Sequence, residues 1–86
     1  MEKVTRKLAK LPVSPGVYFF KNKSGGIIYI GKAGNLKNRV RSYFGAGVRF
    51  FNAAKQKMLA EIADIEILKT ESEIEALIKE SELIKK

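Results

Sequence analysis

The sequence predicts a small α/β fold of the α+β type, with one β-hairpin, one further strand and several helices. Two runs of aromatic and β-branched residues flank a glycine-containing turn, which is the pattern of a hairpin. Apolar residues at helical spacing follow candidate helix caps at Asn35 and Ser72. A chain of 86 residues has room for one hydrophobic core, so residues 1–86 are expected to form a single domain.

The first third of the chain predicts a short helix and then the hairpin. Val4, Leu8 and Leu11 recur at helical spacing, and the helix is expected to end at Leu11 because a proline follows. The two strands of the hairpin cover residues 16–20 and 27–31.

The alternation of side chains along these strands determines whether two tyrosines, one on each strand, can lie next to each other. Tyr18 shares a face with Phe20, and Tyr29 shares a face with Ile27 and Gly31. If the register pairs these faces, the two tyrosines meet.

The rest of the chain predicts three helices and a third strand. Asn35 fits the N-cap of a helix that runs to about Phe44 and carries several cations. Ser72 followed by Glu75 matches a capping box that begins the last helix. Between them the sequence predicts a helix stop at residues 45–47, a helix from about Phe51 to Ile62 with Phe51, Ala54, Met58 and Ile62 as its apolar stripe, and a strand over residues 65–70.

Charge is distributed very unevenly along the chain. The formal net charge is +8, but residues 1–57 contain 13 Lys and Arg against one acid, whereas residues 58–86 contain 4 against 8. A basic region with interleaved aromatic residues is typical of a surface that binds the nucleic-acid backbone. A solvated basic surface and a surface that meets anionic lipid are the alternatives. No apolar run approaches the length of about 20 residues that spans a bilayer, and we expect a cytoplasmic protein.

The chain has neither cysteine nor histidine. Disulfides and thiolate zinc sites are therefore excluded, as are the usual nucleophiles and proton-transfer groups. An enzyme would have to use tyrosine, lysine and carboxylates, whose ordinary pKa values lie far from neutrality. A base of this kind needs a cation or a metal beside it.

Glu80 interrupts an otherwise apolar face of the last helix. At about 100° per residue, it falls between Ala76, Leu77, Leu83 and Ile84. A carboxylate in this position needs a partner, which is either a cation at the edge of the core or a hard divalent metal ion.

Two features next to the hairpin also have an ordinary and a functional interpretation. The turn after Gly31 joins a strand to a helix through two glycines, which lets the backbone approach a phosphate, although such turns are common. Arg39 is either solvated helix surface or a planar fork that binds a phosphate at two points. By default, Tyr18 and Tyr29 are half-buried aromatic residues whose hydroxyls face water.

Together these residues resemble the GIY-YIG nuclease family. Its motifs are matched by Gly16-Val17-Tyr18, Tyr29-Ile30-Gly31-Lys32, Arg39 in the following helix and Glu80 in the last helix. The branch that forms the amino-terminal domain of a bacterial excinuclease subunit is the most similar one, and the resemblance covers nearly the whole chain. The segments that support this branch are Leu11-Pro12, Pro15-Gly16-Val17-Tyr18, residues 28–33, Asn35-Leu36, residues 39–44, Glu75-Ala76-Leu77 and residues 83–86.

The resemblance implies a three-stranded antiparallel sheet flanked by helices, and a DNA endonuclease that uses Mg²⁺ or Mn²⁺ and leaves a 5′-phosphate and a 3′-hydroxyl. Tyr29 would help to deprotonate the attacking water, with Lys32 lowering the cost of its phenolate and Tyr18 positioning the network. Arg39 would hold the scissile phosphate, and Glu80 would bind the metal.

The resemblance also covers a further tyrosine and includes departures from the family pattern. Tyr43 corresponds to a family tyrosine that would orient other groups or contact DNA. Gly34 stands where lysine is usual, Lys79 where an apolar residue is usual, and Glu82 where asparagine is common. The family's proline-tyrosine-asparagine segment, whose asparagine completes the site, is expected beyond Lys86.

Three hypotheses of function follow. The first is a monomeric incision domain of nucleotide excision repair, either free-standing or part of a longer protein, which receives DNA from damage-recognition proteins. The second is a non-catalytic DNA-binding module, whose binding would be sensitive to salt and would involve no metal-dependent cutting. The third is a protein-interaction domain, for which DNA affinity would not change between low and moderate salt.

Overall fold

The computed structural model describes residues 2–45 and 51–85, which form four helices and three strands. Within these residues, no helix is both long enough and apolar enough to cross a membrane. The elements follow one another as α1 (Glu2–Ala9), β1 (Gly16–Lys21), β2 (Ile27–Ala33), α2 (Leu36–Arg41), α3 (Ala53–Glu61), β3 (Asp64–Lys69) and α4 (Glu73–Ile84).

The three strands form one antiparallel sheet in the order β2-β1-β3. The central strand β1 contains the fully buried side chains Val17, Tyr18 and Phe20. Across the hairpin, Phe20 pairs with Tyr29 and Tyr18 pairs with Gly31. The predicted hairpin and the three-stranded antiparallel sheet are therefore confirmed.

Side-chain caps begin three of the helices. Asn35 and Ser72 each accept a hydrogen bond at 3.0 Å from the backbone N–H three residues later, so both predicted caps are confirmed. α3 has a cap that was not predicted, Asn52, and therefore begins two residues later than Phe51.

Two predicted helices differ from the structure. α2 ends at Arg41 rather than near Phe44. In α3, Ala54 is exposed and does not belong to an apolar stripe. The reason is that α3 packs on the core through Met58 and Leu59, further along the helix, which leaves Ala54 in solvent. The predicted helix stop at residues 45–47 lies partly outside the described residues.

The hydrophobic core joins side chains from the sheet, α1, α2 and the segments next to them. Three aromatic residues of this core are fully buried or nearly so, which gives a small domain a large apolar area per residue. The buried members of the core are Val4, Leu11, Tyr18, Phe20, Ala33, Leu36, Val40, Tyr43, Ile62 and Ile65.

α4 packs against β1 and β2 through a narrow stripe that is centred on the fully buried Ala76. The apolar face predicted for this helix is wrong at its edges, because Leu77 and Ile84 are 49% and 58% exposed. α4 lies mainly against β1 and β2, which cover Ala76 fully and Glu80 and Leu83 partly, whereas the flanks of the apolar face extend beyond these strands.

The outer edge of β3 is joined to α1 by a cluster of charged groups. The Asp64 carboxylate lies 2.8 Å from the Lys7 ammonium and 3.3 Å from that of Lys3, and it accepts a hydrogen bond from the Ile65 N–H at 2.8 Å. Lys7 also donates to the Ile65 carbonyl at 2.9 Å. Burial opposes ionisation of Asp64, but these hydrogen bonds outweigh it, and the pKa of Asp64 is lowered.

Asp64→Asn is expected to reduce the free energy of unfolding by about 1 kcal/mol at neutral pH, because charge-assisted hydrogen bonds to partly exposed lysines are lost. The folded-state pKa lies below the unfolded value of about 3.9, so this stabilisation is complete above that pH and disappears as the pH falls through the folded-state pKa. Urea denaturation at neutral and acidic pH measures both effects. An undiminished effect of Asp64→Asn in a Lys7→Met background would contradict this account.

Candidate active site

An open cleft of about 370 Å³ lies where the end of β2, the following turn, α2 and α4 meet. Five of the six site residues predicted from the sequence line it, although the chain separates them by up to 62 positions. The residues of the cleft are Tyr18, Tyr29, Lys32, Ala33, Gly34, Arg39, Glu73 and Glu80.

Three tyrosines form a cluster along one side of the cleft. The ring centroids of Tyr18 and Tyr29 are 6.1 Å apart, so the tyrosines of the two strands do meet. Tyr43, the sixth predicted residue, lies behind them: it is only 2% exposed, and its hydroxyl is hydrogen-bonded to that of Tyr18 at 2.9 Å. Tyr43 therefore supports the cleft from within the core and does not line it.

Gly31 makes room for this cluster. It pairs with Tyr18 across the hairpin, and a β-carbon at position 31 would collide with the ring and hydroxyl of Tyr18. The Tyr18 ring thus crosses directly over the backbone of β2 towards Tyr43. Any side chain at position 31 would force the Tyr18 phenol to move.

Gly31→Ala is expected to reduce any activity of the cleft by about 10²-fold or more, because displacement of the Tyr18 hydroxyl breaks its hydrogen bond to Tyr43. The clash should also reduce the free energy of unfolding by about 1–3 kcal/mol. An activity assay and thermal denaturation measure the two effects, and the ultraviolet titration of the tyrosines reports the displacement of the Tyr18 phenol. Gly26→Ala is the matched control, because its β-carbon would meet no atom closer than 3.4 Å, and an equal effect of both substitutions would refute this role of Gly31.

The phenols of the cluster are harder to ionise than free tyrosine. Burial raises the pKa of Tyr18, and its contacts with Tyr43 and Arg39 offset only part of this. Burial also raises the pKa of Tyr29; Tyr43 raises it further, whereas Tyr18 and Arg39 lower it. The cations in the cleft therefore do not make Tyr29 a phenolate at neutral pH in the protein alone, and additional positive charge is needed.

Arg39 places a guanidinium between the tyrosines and the cleft. It projects from α2, whose start is fixed by the Asn35 cap, and it lies over the Tyr43 ring at 5.4 Å from the centroid. The neighbouring Tyr18 hydroxyl raises the pKa of Arg39, so its charge is permanent. Its planar fork can bind a phosphate at two points at the mouth of the cleft.

α4 contributes two carboxylates to the cleft. Glu80 is half-buried, and among the described residues no cation lies within ion-pair distance of it. The nearby Lys79 instead pairs with Glu82 at 3.7 Å. The interpretation of Glu80 as a salt-bridge partner thus has no support in the described part of the chain.

Glu73 was not predicted as a site residue, because the start of a helix is a favourable place for any acid. Its carboxyl group packs so closely on Gly34 that a β-carbon there would lie 3.0 Å from it. Glycine at position 34 thus leaves room for this carboxylate. The signal in the sequence was the spacing of two helical turns between Glu73 and Glu80.

The donor chemistry of the cleft fits a hard divalent cation. Glu80 and Glu73 offer carboxylate oxygens, and the cleft has no soft ligand. Within the described residues, no group of three or more acidic, histidine or cysteine side chains is arranged to hold a metal ion. Mg²⁺ commonly keeps several waters and binds through one or two carboxylates together with substrate phosphates, so a site with few protein ligands suits it.

This sheet, with a tyrosine on each strand of the hairpin, an arginine on α2 and a glutamate on α4 around one cleft, defines the class of GIY-YIG nuclease domains. The family model of the UvrC-like GIY-YIG domain matches residues 14–86. The chain therefore belongs to the UvrC-like GIY-YIG domain family, which confirms the resemblance found in the sequence.

Individual relatives agree with this assignment. UvrABC system protein C from Chlorobium phaeobacteroides is 58% identical over 79 residues, which are 92% of this chain and 12% of that protein. The protein of the same name from Desulfitobacterium hafniense is 54% identical over 86 residues, which are 100% of this chain and 14% of that protein. The chain thus spans about an eighth of the length of these relatives.

A solved structure also has the same fold. The GIY-YIG N-terminal endonuclease domain of UvrC from Thermotoga maritima, bound to its catalytic divalent cation, magnesium, superposes with a TM-score of 0.83 at 41% identity. The match covers 99% of this chain and 90% of that domain.

Proposed function

We propose that this chain is a divalent-metal-dependent DNA endonuclease domain that incises one strand during nucleotide excision repair. The observation that carries the proposal is the convergence of Tyr29, Arg39 and Glu80 on one cleft in a chain of the UvrC-like GIY-YIG family. The solved relative with the same fold binds a catalytic magnesium ion.

Arg39 and Lys32 bind the substrate phosphate in this proposal. Arg39 grips two non-bridging oxygens and stabilises the charge that develops on them in the transition state. Lys32 also lines the cleft and adds a second positive charge, which draws the anionic strand into the site. Neither group needs to transfer a proton for this role.

The tyrosine cluster positions the attacking water and receives its proton. Tyr29 is the most exposed of the three, at 38%, and is the phenol that a water in the cleft can reach. Tyr18 is held by its hydrogen bond to Tyr43 and fixes the orientation of the network around Tyr29. Tyr29 in its phenolate form accepts the proton of the water as the water oxygen bonds to phosphorus. The bond between phosphorus and the 3′ oxygen breaks, and that oxygen takes a proton from solvent and leaves as the 3′-hydroxyl.

Glu80 would hold the metal ion, and Glu73, which lines the same cleft, would offer a second carboxylate. When bound, the cation supplies positive charge that stabilises phosphate oxygens and lowers the pKa of neighbouring acidic groups. Glu80 would hold the ion in the cleft that Arg39 and the tyrosines also line, because the stripe of α4 on which it lies is held against the sheet.

The proposal also includes the substrate, the partners, the compartment and the oligomeric state of the domain. We assign DNA as the substrate, damage-recognition proteins of excision repair as partners, the cytoplasm as the compartment and a monomer as the active form. The names and lengths of the relatives support a role as the amino-terminal domain of a longer repair protein. The cleavage products are expected to have a 5′-phosphate and a 3′-hydroxyl.

Incubation with supercoiled plasmid DNA tests the proposal. Nicking is expected with Mg²⁺ or Mn²⁺ and not with EDTA. A protein that binds DNA in a salt-sensitive manner and never nicks it would instead be a non-catalytic DNA-binding module, and the endonuclease assignment would be rejected.

The rate of nicking is expected to rise with pH from neutral into the alkaline range. Tyr29 must lose its proton to act as a base, and burial raises its pKa, so the ascending limb moves to higher pH. Tyr29→Phe should remove this limb together with most of the activity, by about 10²-fold or more. Initial rates across a pH series, with saturating metal, provide the measurement; a pH-independent rate in the wild type would argue against a phenolic base.

A further inference from the structure

Lys55, in the first turn of α3, lies over two aromatic rings next to the cleft. Its ammonium nitrogen is 5.0 Å from the ring centroid of Tyr43 and 4.4 Å from that of Phe51. The two rings are arranged edge to face with their centroids 6.2 Å apart. They form a corner that attracts and orients the ammonium group, and Lys55 does not itself line the cleft.

The Tyr43 ring connects Lys55 with the cleft. The Arg39 guanidinium lies 5.4 Å from the centroid of the same ring, so both cations contact one aromatic group. Successive phosphates of a DNA strand follow one another at about 3.4 Å along the helix axis. Two cations that contact one ring lie close enough together for a single strand to reach both.

Lys55 differs from other lysines of the described residues in its surroundings. Several lysines at the other edge of the sheet, such as Lys3 and Lys7, pair with Asp64. In residues 2–45 and 51–85, by contrast, no carboxylate lies within ion-pair distance of Lys55 or Arg39. Their charges are not neutralised locally, and they create a positive potential beside the cleft that attracts an anionic ligand.

We propose that Lys55 is a phosphate-binding residue of this nuclease, which holds the phosphate next to the one at Arg39 and thereby guides the DNA strand through the site. This inference rests on the proposed function, because its ligand is the strand that the cleft cuts. The contact is with the backbone, so it adds affinity without sequence preference. Tyr43 then contributes in two ways: its hydroxyl is hydrogen-bonded to that of Tyr18, and its ring contacts the two cations.

Binding and cleavage by Lys55→Gln test this inference. Fluorescence anisotropy with a short labelled DNA duplex in EDTA, over a salt series, is expected to show a Kd raised about five-fold and a salt slope reduced by about one. In nicking with Mg²⁺, KM should rise while kcat stays within about two-fold. Lys55→Arg, which keeps the cation, should restore the Kd and the salt slope. Lys57→Gln, which removes an exposed charge two residues later, should leave the Kd and the salt slope unchanged.

The outcomes separate this inference from the proposed function. If the wild type binds and nicks DNA but Lys55→Gln retains its Kd and salt slope, Lys55 has only a packing role and the inference is overturned. If the wild type itself does not bind DNA, the proposed function fails and the inference fails with it. Should Lys55→Gln not fold, Lys55→Met decides, because it keeps an unbranched side chain on the rings and removes only the charge.

Discussion

Glu80→Gln is expected to reduce the rate of plasmid nicking by about 10³-fold or more, the largest effect of any single substitution in this chain. Glutamine has the shape of glutamate without its charge, so it can no longer hold a divalent cation. Because Glu80 has no cationic partner in the described part of the chain, the substitution breaks no ion pair there, and the melting temperature should not fall.

Single-turnover nicking at increasing Mg²⁺ and Mn²⁺ measures this effect, with thermal denaturation as the measure of folding. Glu82→Gln is the matched control on the same helix, because Glu82 is exposed and pairs with Lys79 rather than facing the cleft. The metal site would have to be placed elsewhere if Glu80→Gln and Glu82→Gln nicked equally well.

Arg39→Lys is expected to reduce kcat by about 10²-fold, although the charge is conserved. A lysine is a point charge and cannot bind two phosphate oxygens with a planar fork. The substitution also removes the guanidinium from its position over the Tyr43 ring and beside the Tyr18 hydroxyl. The pKa of Tyr18 should rise further, because Arg39 is one of the two groups that counteract the effect of burial.

The measurement is steady-state nicking together with a spectroscopic titration of the tyrosines. Arg41→Lys is the matched control, because Arg41 lies on the same helix and is exposed. A change confined to KM, with kcat unaltered, would show that Arg39 contributes only to binding and would remove it from transition-state stabilisation.

The sequence predicted the parts of this fold that local chemistry determines. The hairpin follows from alternating apolar residues on both sides of a turn, and the caps at Asn35 and Ser72 follow from side chains that bond their own backbone. The limits of α2 and the exposure of Ala54 were missed because they depend on which neighbours a helix meets. No residue pattern within one helix specifies those neighbours.

For the candidate site, too, the residues that a local motif marks could be predicted, whereas the positions that depend on packing between elements could not. Tyr18, Tyr29, Arg39 and Glu80 could be selected from the sequence because a family motif connects them, and the structure places them around one cleft. The buried position of Tyr43 depends on how α2 packs on the sheet. The location of Lys55 depends on α3, whose cap was not predicted; the sequence showed it only as one of many lysines.

The contacts of Ile65 have a further consequence for association between molecules. β3 is a border strand of the sheet, and at Ile65 both backbone polar groups are occupied, the N–H by Asp64 and the carbonyl by Lys7. A border strand whose N–H and carbonyl groups are free recruits strands from other molecules, and lysine on the border is a common way to prevent this. Here one lysine-aspartate pair occupies the border of the sheet at Ile65 and discourages pairing of β3 with a strand of another molecule.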